Sequence, residues 1–92
     1  MSELKSGWSV LVHREAKKEL GRLPKHILRE ALERIGALAQ EPYPVGCTKI
    51  AGQESFYRIR VGDWRIVYEV NVQARTITIL RVSPRGEVYR SR

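Results

Sequence analysis

The chain has 92 residues, 42% hydrophobic and 29% charged, which suits one folded domain over residues 1–92 and excludes a disordered chain. Its formal net charge of +7 points to a polyanionic partner: nucleic acid, an anionic membrane surface or an acidic protein. The lone cysteine, Cys47, excludes an internal disulfide and fits a cytoplasmic home, and no window approaches the roughly 18 apolar residues of a membrane span.

Residues 1–7 read as a mobile polar tail without an apolar signal region. Trp8, Val10 and Val12 then alternate with Ser9, Leu11 and His13, the period of a strand. Residues 14–23 carry Ala16, Leu20 and Leu23 at helical spacing. Pro24 cannot continue that helix but suits the start of the next. A second helix is expected over 24–40, with Ile27, Ala31, Ile35 and Leu38 as its apolar stripe, widened by Leu28, Leu32 and Ala39. Glu30 and Arg34 stand at i,i+4 spacing and can pair. Glu41-Pro42-Tyr43-Pro44-Val45-Gly46 is a loop. Strands follow at 48–51, 56–61, 64–70 and 76–82, with a short last one at 87–90. The order β-α-α-β-β-β-β predicts an α+β fold: a small, twisted, mainly antiparallel sheet with an N-terminal helical hairpin packed on one face.

Charge is distributed unevenly over these elements. Residues 1–55 hold 9 basic and 7 acidic side chains, whereas residues 56–92 hold 8 basic and 3 acidic. Every basic residue of the second segment is arginine, whose planar fork of donors matches phosphate better than the point charge of lysine. The densest stretch is Tyr57-Arg58-Ile59-Arg60-Val61-Gly62-Asp63-Trp64-Arg65-Ile66-Val67-Tyr68. Gly62-Asp63 between two β-rich runs predicts a two-residue hairpin loop. That loop sets Val61 opposite Trp64, Arg60 opposite Arg65 and Arg58 opposite Val67. Alternation then puts Tyr57, Ile59, Val61, Trp64, Ile66 and Tyr68 on a core face, and Arg58, Arg60 and Arg65 together on the other. Like charges directly opposed across a sheet destabilise it, and an anion between them removes the cost. Glu69, on the same face, is the internal acid that would neutralise the cluster instead.

Downstream, Pro84 ends a strand by its missing N–H, Arg85 sits at the exit beside Gly86, and Arg81 and Arg90 flank that exit as further phosphate contacts. Tyr89 serves either to stack on a base or to cover the core from an edge strand. His13 and His26 stand too far apart in the predicted elements for a metal pair, Cys47 has no partner histidine, and no phosphate-binding glycine loop is present.

With these residues in place, the chain resembles the RelE/ParE superfamily of bacterial and archaeal toxins. The resemblance runs from the early strand through Leu23-Pro24-Lys25, Glu41-Pro42, Lys49-Ile50-Ala51-Gly52 and the central arginine hairpin to Val82-Ser83-Pro84-Arg85-Gly86-Glu87-Val88-Tyr89. It implies a ribosome-dependent endoribonuclease, an mRNA interferase of RelE type. Such an enzyme cleaves mRNA in the ribosomal A site and is neutralised by a RelB-like antitoxin in a toxin–antitoxin hetero-oligomer. The implied catalytic residues are Arg60, Arg65, Arg85 and Tyr89, with Arg58, Arg60, Arg65, Arg81 and Arg90 binding RNA. The 2′-hydroxyl attacks the adjacent phosphate, so the nucleophile belongs to the substrate and neither metal nor cofactor is called for. Arg58 and Arg65 would bind phosphate oxygens, Arg60 would lie near the attacking hydroxyl, Arg85 would support the leaving 5′-oxygen, and Tyr89 would stack on a base.

The pattern departs from that family at four positions. Lysines usually stand where Arg58 and Arg60 are, and arginine is a poor general base because it keeps its proton. The proton acceptor is therefore unassigned. Pro84 and Gly86 replace flanks more often rich in His or Arg. Two alternatives are carried alongside: a ParE-like toxin that inhibits DNA gyrase by protein binding, and a non-catalytic RNA- or ribosome-binding protein.

Overall fold

The computed structural model describes residues 7–84. Most of the expected tail, the expected strand at 87–90, and Arg85, Tyr89 and Arg90 lie outside the described residues.

The described elements follow the expected order: β1 Ser9–Val12, α1 Arg14–Leu20, α2 Lys25–Ala37, β2 Thr48–Lys49, β3 Phe56–Val61, β4 Trp64–Asn71 and β5 Thr76–Pro84. The strands form one sheet in the spatial order β1-β5-β4-β3-β2. β1 pairs with β5 in parallel, and the other pairings are antiparallel. Parallel pairing of β1 with β5 needs a long crossover, and the two helices lie within it.

Both helices are shorter than their apolar periodicity suggests. α1 opens on His13, whose Nδ1 accepts a hydrogen bond from the Glu15 N–H at 3.1 Å, a capping role for that histidine. Its regular part ends at Leu20, after which Arg22 and Leu23 bond to the carbonyls three residues back. The chain tightens there because Pro24 bars continuation and restricts the residue before it. α2 ends at Ala37, and Leu38, Ala39 and Gln40 continue as three-residue turns. Its stripe buries Ala31, Ile35 and Leu38, but Leu32 is about half exposed and falls outside the stripe. The Glu30–Arg34 pair forms at 3.9 Å.

One buried cluster joins both helices to one face of the sheet. Ala16, Leu20, Leu23, Ala31, Ile35 and Leu38 pack on Ile59, Val61, Ile66, Tyr68, Val70, Ile77, Ile79 and Val82. Tyr68 is fully buried. Its hydroxyl donates to the Pro42 carbonyl at 2.7 Å, tying the 41–46 loop to the sheet. Burial, then the neighbouring Cys47 thiol, pushes the Tyr68 phenol above its usual range. Tyr57 stacks on Tyr68, with centroids 6.0 Å apart, and meets Tyr43 edge-on at 5.0 Å.

Two backbone features set which side chains share a face. Gly62, at φ 60°, supplies the positive φ that the first position of the β3–β4 loop requires. The pairing that follows, Val61 with Trp64 through Phe56 with Glu69, is the expected register. The second feature is a bulge in β5. Val67 pairs with Arg81, but the next residue, Tyr68, pairs with Ile79, leaving Leu80 as the extra residue. Ile77 and Ile79 therefore reach the core from odd positions and Val82 from an even one. The same shift turns Arg81 and Ser83 to the opposite face.

Candidate nucleic-acid interface

The face turned away from the helices is built in rows that cross the sheet. One row runs Thr48, Arg58, Val67, Arg81; the next runs Arg60, Arg65, Ser83. Neighbouring strands lie about 4.8 Å apart, so the three hairpin arginines occupy adjacent positions on two rows. Arg60 is exposed, and Arg58 and Arg65 are half-buried. Val67 is buried between Arg58 and Arg81 in its row, a place where long arginine stems can cover apolar surface while their heads stay wet. Ser83 is buried beside Arg65, and its hydroxyl makes no hydrogen bond among the described residues.

At the β2 edge this face opens into a small cleft of about 170 Å3, lined by Gly46, Thr48, Arg58 and Arg60. Two arginines and a threonine are among its lining residues, residue types whose donors suit a phosphate group. A larger cavity of about 550 Å3 includes Tyr43, Lys49, Glu54, Tyr57 and Glu69 in its lining. Its two carboxylates oppose anion binding, and it lies off the Arg60–Arg65 row.

Among the described residues Glu69 makes no ion pair, and an acid that does reach this face is Glu19 of α1. One Glu19 oxygen, Oε2, accepts from Arg81 Nε at 2.9 Å and stands 2.8 Å from Arg81 Nη2. The other, Oε1, accepts from the Val82 N–H at 2.6 Å. β1 pairs with β5 only as far as Ile79, so the Val82 N–H lies past the end of that pairing and the carboxylate satisfies it.

The structure thus brings Arg58, Arg60 and Arg65 together and places Arg81 on their face with its guanidinium engaged by Glu19. Arg85, Tyr89 and Arg90 lie outside the described residues. Arg75 sits apart, over the Trp8 ring at 4.7 Å. Sequence reasoning missed Glu19, the bulge at Leu80 and the Gly46–Thr48 wall of the cleft. A signal existed for the bulge, since Ile77, Ile79 and Val82 break the alternation. None existed for Glu19, which joins residues 62 positions apart.

The family model described as "ParE toxin of type II toxin-antitoxin system, parDE" matches residues 10–89. The toxin RelG of Mycobacterium tuberculosis is 33% identical over 76 residues, 82% of this chain and 87% of that one. Among solved structures, the archaeal RelE–RelB complex from Pyrococcus horikoshii contains a similar chain, at TM-score 0.78 and 36% identity over 87% of this chain and 97% of that one. The RelB–RelE antitoxin–toxin complex from Methanococcus jannaschii contains another, at TM-score 0.75 and 30% identity over 89% and 98%. Among the described residues no helix is long and apolar enough to cross a membrane. From the arginine hairpin, the helical crossover and these matches together, the chain belongs to the ParE toxin family of type II toxin–antitoxin systems.

Proposed function

We propose that this toxin, a single domain over residues 1–92, is a cytoplasmic endoribonuclease that cleaves mRNA in the ribosomal A site. The observation that carries the reading is the directly opposed Arg60–Arg65 pair, with Arg58 on the adjoining row, away from the core. A fold selected for stability alone avoids opposed like charges, and a phosphodiester between them turns repulsion into charge-assisted hydrogen bonds.

In this mechanism the 2′-hydroxyl of the RNA attacks its own 3′-phosphate. The P–O bond to the 5′-oxygen of the next nucleotide breaks, leaving a cyclic or 3′-phosphate and a 5′-hydroxyl. Arg58 and Arg65 stabilise the charge that grows on the non-bridging oxygens, Arg60 lies at the attacking hydroxyl, and Arg85 supports the leaving oxygen. Tyr89 holds a base so that attack is in line. Positioning by the ribosome supplies several kcal/mol of the barrier reduction. The chemistry needs no metal, because the nucleophile is internal to the substrate.

The partner is a RelB-like antitoxin that binds this chain in a hetero-oligomer, as in the archaeal complexes. Acidic residues of the antitoxin meeting the arginine face would speed association, and the on-rate should then fall with salt.

Purified protein is expected to cut mRNA on programmed ribosomes, and Arg85→Ala is expected to lose cutting with the fold intact. Wild-type rates in Arg85→Ala would overturn the assignment of that residue. A second reading follows from the ParE description of the matching family: inhibition of DNA gyrase by protein binding. A supercoiling assay separates the two, since inhibition without mRNA cutting would favour the second.

A further inference from the structure

We propose that a cavity between the end of α1 and the start of β4 is a nucleobase pocket, which holds one base of the RNA against Trp64 with Arg22 at its rim. The inference deepens the RNA-binding reading above and rests on it. The cavity measures about 230 Å3 and is lined by Glu19, Arg22, Trp64, Val82, Ser83 and Pro84. That is below the roughly 300–1,000 Å3 of a site for a drug-sized ligand, room for one flat ring rather than a whole nucleotide.

The fold leaves this space for local reasons. β1 pairs with β5 only as far as Ile79, so beyond that point the β5 edge is met by α1 rather than by β1. Glu19 takes the Val82 N–H there, and Pro84 has no N–H to offer a further strand. α1 ends in a tightened turn, in which the Arg22 and Leu23 N–H groups bond the Glu19 and Leu20 carbonyls. Leu20 and Leu23 go into the core, which leaves Arg22 exposed at the rim. Trp64 pairs with Pro84 across the β4–β5 ladder and packs against the core while staying partly exposed.

The lining narrows the ligand to one class. Trp64, Val82 and Pro84 give apolar surface, and an indole is a stacking platform for a flat ring. Among the described residues the Arg22 side chain makes no hydrogen bond or ion pair, so its donors are open to an acceptor. Glu19 Oε2 is taken by Arg81 and Oε1 by the Val82 N–H. A carboxylate oxygen accepts twice, so Oε1 has room for a second donor. Glu19 repels a phosphate, Arg22 repels a lysine or arginine, and a purely apolar group would cover the Arg22 charge without pairing it. A nucleobase is uncharged and flat, and carries acceptors and N–H donors on its edges. Ser83 connects the cavity to the arginine face. It lines the cavity and also closes the Arg60–Arg65–Ser83 row, about 4.8 Å from Arg65 across the ladder. A strand with a phosphate on that row therefore has a neighbouring base within reach of Trp64.

The test uses the full-length chain and a short single-stranded 2′-O-methyl RNA, which lacks the attacking hydroxyl. Beside it runs the same strand without its bases, so that both probes carry equal charge. Trp8→Phe leaves Trp64 as the single tryptophan. The base-bearing strand is expected to quench Trp64 emission saturably, and the abasic strand to bind without quenching. Anisotropy of fluorescein-labelled probes with the chain that keeps both tryptophans is a second readout, independent of how well the Trp8→Phe protein folds. There Arg22→Ala is expected to weaken the base-bearing strand about tenfold, the loss of a hydrogen bond from a charged donor. The abasic strand is expected to stay within about twofold, because an exposed charge away from the phosphates is screened. If Arg22→Ala acts on both strands alike, or if both bind and neither quenches Trp64, the pocket is overturned while the RNA-binding reading stands. If neither strand binds even at low salt, the RNA-binding reading fails and the pocket fails with it.

Discussion

The two faces of the β3–β4 hairpin are made by the same residues in alternation, yet they answer to different demands. On the core face Ile59, Val61, Ile66 and Tyr68 are all within 1% of full burial, and each helps hold the helices to the sheet. On the other face Arg60 opposes Arg65 with Arg58 on the adjoining row, an arrangement that costs stability. The comparison teaches where to look for function: the side of the hairpin that a stability argument cannot explain.

Variants on the two faces should therefore separate folding from activity. The largest effect is expected from Ile66→Ala on the core face, a loss of about 2–5 kcal/mol in unfolding free energy from lost burial and a residual cavity. Arg65→Ala, its neighbour in sequence, should leave the urea midpoint unchanged or slightly raised while cleavage falls about 100- to 1000-fold. Next comes Tyr68→Phe, which removes the hydroxyl and leaves the buried Pro42 carbonyl without that donor, for about 1–3 kcal/mol. Tyr68 also gives a pH signature. Its pKa is raised in the folded state, so its contribution is fully present below the unfolded value near 10 and declines as pH rises beyond it. The slope is about 1.4 kcal/mol per pH unit for one proton, and a denaturation series in alkali should show it weakened in Tyr68→Phe. Gly62→Ala tests the loop that sets both faces at once. Because Gly62 has φ 60°, the substitution should cost about 1 kcal/mol, read by thermal unfolding. The smallest effect is expected from Arg60→Thr, a gain of a few tenths of a kcal/mol from relief of like charge, with cleavage strongly reduced.

The hairpin was legible in the sequence because its two governing signals are local: a period of two, and Gly-Asp between the runs. Every pairing from Val61–Trp64 to Tyr57–Tyr68 follows from them. The fold class was legible for a related reason, since apolar periodicity switches once from helical to strand spacing and Pro24 marks the turn between helices. What depends on distant residues was not legible. The parallel docking of β1 on β5, the half-exposed Leu32 in an apolar stripe, and the Glu19 clamp are settled by packing between segments far apart in the chain. The Leu80 bulge lies between these cases. The sequence breaks alternation there, but only the pairing with β4 identifies the extra residue and explains why Arg81 turns outward while Val82 turns in.

The central claim is that the outer-face arginines act on an RNA phosphodiester. The most direct test is single-turnover cleavage of an mRNA on programmed ribosomes, with product ends mapped, for the wild-type chain and for Arg65→Ala at matched folded fraction. The account predicts wild-type cuts that leave a 5′-hydroxyl and a cyclic or 3′-phosphate, and a fall of at least about 100-fold in Arg65→Ala. Equal rates for the two proteins, or no cleavage by the wild-type chain, would contradict it.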